Sequence, residues 1–153
     1  LLKSQNKATP VTDHVYCENY TVNAAVCHYA ALAKQQEIAV QIVLDIPSEL
    51  TVDALELSMA VSNLMENAIN ACGRLPQERN AYLCFTAHHA GRLLLEMENP
   101  CAEDTVLGAD GFPFTRQVSH GVGSKSVQAF ANKYNGELLY QVKEGVFRVR
   151  LLV

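Results

Sequence analysis

Several signals of membrane, secreted and nucleic-acid-binding proteins are missing from this sequence. No apolar run approaches the ~20 residues of a membrane-spanning helix, and no signal peptide opens the chain. Lys and Arg are scattered and the net charge is −4, so the basic stripe that nucleic-acid binding needs is missing too. We therefore expect a cytoplasmic domain that reaches a membrane only through segments upstream of this chain.

The cysteines and histidines do not form a metal-binding pattern. The chain has five cysteines, an odd number, and none of them belongs to a Cys-x-x-Cys pair. Reduced thiols are therefore expected. The histidines are equally spread, and the adjacent His88 and His89 would point to opposite faces of a strand. A zinc site is disfavoured.

Length and composition describe one globular domain. The chain has 153 residues, of which 49% are hydrophobic and 18% are charged, and a chain of this size buries a substantial core. Its first residue is Leu rather than Met, which indicates a fragment of a longer protein. We expect residues 1–17 to be a leader or linker from an upstream region and residues 18–153 to form the domain.

Periodicity and turn residues predict a mixed α and β architecture. The predicted elements are a helix at about 19–36, a strand at 38–46, a helix from its N-cap Asp53 to Gly73, strands at 81–88 and 92–98, a helix at about 123–135, and strands at 137–142 and 146–152. Most of the strands are joined as hairpins, which favours a mixed, mostly antiparallel sheet with helices packed on one face.

Residues 100–120 show no convincing periodicity. Long irregular segments in compact domains are usually lids or binding loops, and we interpret this one as a lid. Phe112 and Phe114 are its candidate anchors.

The second helix carries a narrow polar stripe. Asn63, Glu66, Asn67 and Asn70 share one face, because offsets of three, four and seven residues fall within one arc. Asn is a mediocre helix former, so three of them call for a compensating role. Their oxygens suit a hard cation and their amide N–H groups suit phosphate. The alternative is a solvated outer face. The opposite arc is apolar, with Leu57, Val61, Leu64, Ala68 and Ala71.

A glycine-containing segment before the third helix offers an anion site. Gly121 and Gly123 stand one residue apart, where bare backbone N–H groups at a helix start favour negative charge. Lys125 adds a positive charge, and Ser124 and Ser126 add hydroxyl groups. The spacing differs from a P-loop, and a Gly-x-Gly alone is often only a tight turn. Together with the stripe, it predicts a cation site and a phosphate site in one domain.

The two motifs together resemble those of the GHKL ATPase and kinase superfamily. The segment 63–71, NLMENAINA, resembles its N box, and the segment 120–127, HGVGSKSV, resembles its second glycine box. The resemblance covers about residues 20–153, and points in particular to the ATP-binding catalytic domain of sensor histidine kinases of the quorum-sensing-type or citrate-sensor-like branch. It implies an α+β fold, the two-layer Bergerat sandwich, with nucleotide between the N-box helix, the lid and the glycine-box helix.

The resemblance implies ATP and Mg²⁺ as ligands of the N box. Asn67 would bind the Mg²⁺ that bridges the triphosphate, since Mg²⁺ prefers oxygen ligands and keeps several waters. Asn63 and Asn70 would hold phosphate oxygens or metal-bound water. Glu66 would orient or deprotonate a reacting group.

The second glycine box would contact the phosphates. Gly121 and Gly123 would give access to the backbone, and Lys125 and Ser126 would add charge and hydrogen bonds. His120 is either a contact at the lid hinge or a residue without a function.

The chain departs from the family pattern at the first glycine box, an Asp-x-Gly-x-Gly after a strand, which is missing. At the corresponding place Asn99 follows a run of apolar and acidic residues. In the quorum-sensing branch an Asn commonly stands where other members have the Asp, so the resemblance makes Asn99 the candidate for the residue that faces adenine.

The resemblance also implies that the phosphate acceptor lies outside this chain. In this superfamily an acidic residue usually follows the acceptor His directly, and none of the five histidines is followed by Asp or Glu. The resemblance therefore implies two partners, an upstream dimerisation and phosphoacceptor domain and a response regulator. We expect the isolated chain to bind ATP with little or no autophosphorylation.

Three other readings of the sequence stay open. The chain could be a degenerate nucleotide-binding regulatory module without phosphotransfer, since the first glycine box is missing. It could be a hydrolytic or serine-directed member of the superfamily, such as an anti-sigma-type kinase. It could also be a protein-interaction domain whose polar stripe is solvated.

Overall fold

The computed structural model describes residues 14–77, 79–112 and 118–153, with the backbone alone for 118–123. These residues form three helices and a five-stranded sheet, in the order α1 (Tyr20–Gln35), β1 (Ala39–Leu44), α2 (Ala54–Gly73), β2 (Tyr82–Ala90), β3 (Arg92–Pro100), α3 (Val118–Lys133), β4 (Glu137–Lys143) and β5 (Val146–Leu152). No helix within these ranges combines the length and apolarity of a membrane span.

The strands form one sheet in the order β1-β2-β3-β5-β4. β1 is parallel to β2, and the other neighbouring strands are antiparallel. The helices lie over one face of this sheet: α2 packs against both α1 and α3, α1 contacts β1, α2 contacts β2 and β3, and α3 contacts β4. The predicted α+β sandwich, with a mixed and mostly antiparallel sheet beneath one layer of helices, is confirmed.

Residues with positive φ close the two predicted hairpins. Gly91 joins β2 to β3 with a φ of 76°. Glu144 and Gly145 join β4 to β5 with φ values of 53° and 75°. Two successive left-handed residues are what the tightest hairpin turns require, because their twist matches that of the strands.

The apolar arc of α2 anchors the helix layer on the sheet. Its first turn is capped by Asp53, whose side chain accepts a 2.9 Å hydrogen bond from the Glu56 backbone N–H. Leu57, Val61, Leu64 and Ala68 are at most 4% exposed, whereas the predicted fifth member, Ala71, is only half-buried. Burying this arc leaves the polar stripe on the other side of the helix.

The core lies between α2 and the inner face of the sheet. Leu83, Phe85, Leu95 and Leu151 project from three neighbouring strands and are at most 2% exposed. They form one cluster with Leu57 of α2. Alternation along the strands gives the opposite face mostly polar residues, with Val43 and Leu139 as exposed apolar exceptions.

An ion pair between β3 and β5 lies on that opposite face. Glu98 of β3 accepts hydrogen bonds from Arg148 of β5 and, at 3.0 Å, from the Tyr82 hydroxyl of β2. Arg148, as the donor, holds the pKa of Glu98 below its ordinary value of 4.5. Burial and the neighbouring Glu98 together raise the pKa of Tyr82 to about 12.

We expect the free energy of unfolding to fall at acid pH, in part because Glu98 becomes protonated. Because its pKa is lower in the folded chain, the ionised carboxylate favours folding above pH 4.5, and this contribution is lost as the pH falls through the folded pKa. Arg148→Gln should flatten the decline in the free energy of unfolding in that range, measured by urea unfolding at several pH values. Gln141→Ala, at the neutral cross-strand neighbour of Arg148, should leave the decline unchanged. An Arg148→Gln profile identical to wild type would contradict this prediction.

Helix α3 begins earlier than the sequence indicated. It starts at Val118 rather than near residue 123, so Gly121 and Gly123 lie within the helix instead of preceding it. Glycine lowers helix propensity by about 1 kcal/mol without forbidding the conformation, and the predicted start was placed too late for this reason. The helix ends at Lys133, and the Gly136 N–H then donates to the Ala131 carbonyl at 2.7 Å.

The segment interpreted as a lid is described at residues 100–112 and 118–120, and its two predicted ends belong to regular structure, since Pro100 ends β3 and residues 118–120 begin α3. Residues 101–112 form turns, and Gly111 has a φ of 81°. The Phe112 ring packs 5.8 Å from the Tyr140 ring, measured between centroids. Phe114 lies outside the described residues.

Candidate functional site

The polar stripe of α2 faces away from the core. Asn63 and Asn67 are half-buried, and Glu66 and Asn70 are exposed. Since the opposite arc is packed on the sheet, these four side chains are available to whatever lies over the outer side of α2.

The C-terminal end of α3 is tied to the first turn of α2. Lys133 Nζ lies 2.6 Å from Glu56 Oε1, and the Tyr134 hydroxyl donates to the same oxygen at 3.2 Å. The Asp53 backbone N–H donates to the Tyr134 hydroxyl oxygen at 3.1 Å. This joint connects residues 77 and 78 positions apart, which local sequence patterns do not detect.

A groove of 260 Å³ follows the joint along the two helices. Its α2 wall includes Met59 and Ala60, and its α3 wall includes Ser126, Ala129 and Phe130. Glu56 lies near the start of α2 and Lys133 at the end of α3, and the groove extends from this contact to Ala60 on one helix and to Ser126 on the other. The two helices therefore run in opposite directions.

A second cavity, of 320 Å³, lies between the loop after β3 and the other flank of α3. Asp110 and Phe112 line it from the loop, and Ser124 and Lys125 from the helix. Ala129 lines both cavities, so the exposed ridge of α3 separates them. Lys125 and Ser126, two of the predicted phosphate contacts, thus border different cavities.

Asn99 occupies the inner side of the sheet. It is 2% exposed and stands one residue before the end of β3, where it shares a face with Leu93, Leu95 and Met97. Its side-chain amide donates to the Pro100 carbonyl at 2.9 Å. A carboxamide at this position lies between the sheet and the layer of helices, a place usually given to apolar side chains.

The second glycine box lies in the first turns of α3. His120, Gly121 and Gly123 belong to the helix Val118–Lys133, and their side chains fall outside the described residues. Across the described part of the chain, no group of three or more His, Cys, Asp or Glu could hold a metal ion.

Sequence reasoning missed the contacts that join distant segments. Glu56 and Lys133 carried no local signal for their ion pair, and Arg79 stood in an unassigned loop. Arg79 donates from its guanidinium to the carbonyls of Cys101 and Gly145, at 2.6 Å and 3.1 Å.

A family model described as a GHKL domain matches residues 52–153, two thirds of the chain. The match includes α2 with its polar stripe, the loop after β3, and α3. No curated protein matches the sequence.

Several solved structures share the fold. The nucleotide-free catalytic domain of histidine kinase ThkA has a TM-score of 0.65 and 15% identity, over 87% of this chain and 88% of that one. The mycobacterial sensor histidine kinase MprB has a TM-score of 0.63 and 12% identity, over 87% and 92% of the two chains. Full-length ShkA in complex with AMPPNP has a TM-score of 0.65 and 17% identity, over 87% of this chain and 29% of that one.

Proposed function

The chain belongs to the GHKL domain family, and we propose that it is the ATP-binding catalytic domain of a sensor histidine kinase. In this role it transfers the γ-phosphate of ATP to a histidine on an upstream dimerisation domain. The kinase acts with a response regulator as its second partner. Membership in the family supports ATP as the ligand, and the kinase catalytic domains that share the fold support the reaction.

The observation that carries the proposal is the antiparallel packing of α2 and α3. Glu56 meets Lys133 at one end of the helix pair. At 1.5 Å per residue, Asn67 lies about 16.5 Å further along α2, and Val122 lies equally far along α3 in the opposite direction. These equal distances from the Glu56–Lys133 contact support a site where the stripe of α2 and the backbone of Gly121 and Gly123 contact one ligand.

The donor set of the stripe fits Mg²⁺. Asn67 offers an amide oxygen from a half-buried position, and Mg²⁺ takes few protein oxygens beside waters and substrate phosphates. Bound there, the ion would neutralise charge on the triphosphate. Asn63 and Asn70, one turn away on either side, would hold phosphate oxygens or ion-bound water, and Glu66 would orient the acceptor group.

The glycine box would hold the phosphates from the other side. The free N–H groups in the first turn of α3, at residues 118–120, would favour the phosphates, and the missing side chains of Gly121 and Gly123 would let a phosphate approach the helix closely. Ser126 faces the groove shared with α2, and Lys125 borders the neighbouring cavity. His120 stands in the same turn and would be either a contact at the lid hinge or a residue without a function.

Asn99 would recognise the base. Its burial on the inner face of β3 supports a ligand that enters between sheet and helices rather than one lying on the surface. A carboxamide donates and accepts hydrogen bonds in one plane, as the edge of adenine does.

The test is phosphotransfer with labelled ATP, using the chain alone and the chain joined to its upstream helical region. We expect the isolated chain to bind Mg-ATP and label poorly, and the extended chain to label on the upstream histidine, because the acceptor must be held within reach. Robust labelling of the isolated chain on His14 or His28 would contradict the proposal.

The same experiment separates the alternative functions. ATP binding without transfer to any supplied acceptor would favour a degenerate regulatory module, for which the missing Asp-x-Gly-x-Gly is the supporting observation. Calorimetry that detects no binding of ATP analogues with Mg²⁺ would favour a protein-interaction domain with a solvated stripe.

A further inference from the structure

Arg79 joins three segments that are far apart in the sequence. It lies in the connection between α2 and β2, and its guanidinium donates to the Cys101 carbonyl at 2.6 Å and to the Gly145 carbonyl at 3.1 Å. These acceptors are 22 and 66 positions away. The first belongs to the residue that follows β3, and the second belongs to the turn between β4 and β5.

These bonds fall where the chain leaves the sheet. Cys101 is 2% exposed, and its N–H donates to the Gly145 carbonyl at 2.9 Å, which extends the pairing of β3 with β5 by one step. The Gly145 carbonyl therefore accepts from both Cys101 and Arg79. Beyond Cys101 the chain enters the irregular segment that leads towards α3.

The turn residue is also fitted to the guanidinium. Gly145 has a φ of 75°, and a Cβ atom added to it would lie 3.2 Å from the nearer Arg79 nitrogen. A side chain here would press on the guanidinium at less than ordinary contact distance, and the positive φ of this turn position favours glycine as well. The planar fork of Arg supplies two donors at fixed spacing, whereas the single ammonium of Lys acts as a point charge.

We propose that Arg79 is a positioning residue of the nucleotide site, acting on the base-recognition end through Asn99. Asn99 precedes the pinned Cys101 by two residues, and its amide donates to the carbonyl of the intervening Pro100. Fixing Cys101 fixes the backbone that orients this buried carboxamide and the root of the segment that follows. The inference rests on the proposed function and adds a residue that does not touch the ligand.

The test compares Arg79→Gln with Arg92→Gln. Arg92 is a matched control because it also donates to a backbone carbonyl, that of Asn135 at 3.0 Å. Arg92 stands at the first residue of β3, whereas Arg79 holds the chain just beyond the last residue of that strand. We expect Arg79→Gln to weaken binding of a Mg-ATP analogue about 10-fold and Arg92→Gln to stay within about twofold of wild type. The free energy of unfolding of each variant, from urea titration, separates loss of stability from loss of positioning.

Two further measurements make the assignment specific. In an Asn99→Ala background, Arg79→Gln should cause no additional loss of affinity, because coupled residues are non-additive. In the free protein, Arg79→Gln should shift the NMR signals of the Asn99 side-chain amide, and Arg92→Gln should not. If Asn99→Ala abolishes binding, the NMR result alone decides. If Arg79→Gln does not fold, Arg79→Lys replaces it in the comparison, with an expected affinity between those of wild type and Arg79→Gln.

The failures are distinguishable. Wild type that binds no ATP analogue would remove the proposed function and this inference with it. Wild type that binds while Arg79→Gln binds equally well, or while Arg79→Gln and Arg92→Gln lose the same affinity, would overturn the inference alone. Unchanged Asn99 amide signals in Arg79→Gln would overturn it as well.

Discussion

Asn67→Ala is expected to lower the affinity for ATP in the presence of Mg²⁺ by about 10- to 150-fold, the equivalent of about 1.5–3 kcal/mol for a bond to a charged group. The same change should raise stability slightly, because Ala is a better helix former than Asn by roughly half a kcal/mol. Lower affinity in a protein of equal or higher stability cannot be ascribed to unfolding. Calorimetric titration with an ATP analogue, with and without Mg²⁺, measures the effect.

Asn132→Ala is the matched control. Asn132 is an exposed Asn on α3 whose side-chain oxygen accepts a 2.7 Å hydrogen bond from Gln128. It should bind Mg-ATP as wild type does. If Asn67→Ala kept its Mg²⁺-dependent affinity, or if Asn132→Ala lost as much, the assignment of Asn67 to the metal would be wrong.

Gly123→Ala is expected to weaken binding of ATP by about 10-fold or more, and to weaken it most for ligands with the longest phosphate chain. Gly123 lies inside α3, where Ala should stabilise the helix by roughly 0.8–1 kcal/mol. A methyl group there nevertheless obstructs the backbone on which the phosphates are proposed to rest. ATP, ADP and AMP titrations, combined with thermal unfolding, give both quantities.

Gly73→Ala provides the comparison for that change. Gly73 is the last residue of α2, and a Cβ added to it meets no atom within 4 Å. This substitution should leave the affinities for all three nucleotides unchanged. An unaltered preference for ATP over AMP in Gly123→Ala would show that the glycine box does not hold the phosphates.

The elements with strong local chemistry were predictable from the sequence. The N-cap of α2 was identified because an Asp preceded a clear apolar period, and the carboxylate does accept the Glu56 N–H. The hairpin of strands 137–142 and 146–152 was identified because a glycine separates two apolar runs, and its turn does form at Glu144 and Gly145. In both cases the information lies within a few residues, and tertiary packing does not change the local conformational preference.

The start of α3 was not predictable in the same way. Two glycines at Gly121 and Gly123 indicated a loop on propensity alone, yet the helix includes both. A cost of about 1 kcal/mol per glycine is small beside the burial of an amphipathic helix on a sheet. The burial of Val127, which is fully covered, shows how firmly α3 is packed.

Of the candidate site, the sequence predicted the residues and not their surroundings. The stripe on α2 follows from spacing, but spacing does not say that α3 lies alongside in the opposite direction. The joint of Glu56 with Lys133 and Tyr134, and the bridge made by Arg79, depend on which segments the sheet topology brings together. Such contacts carry no periodic signal.

The central claim is that the amide stripe of α2 and the first turns of α3 hold the same triphosphate. The direct measurement replaces Mg²⁺ with paramagnetic Mn²⁺, bound with a non-hydrolysable ATP analogue, and records the broadening of backbone amide NMR signals. The account predicts the strongest broadening at both the turns of Asn63 to Asn70 and the turn of Gly121 to Gly123. Broadening confined to one of the two helices, or centred elsewhere in the domain, would contradict it.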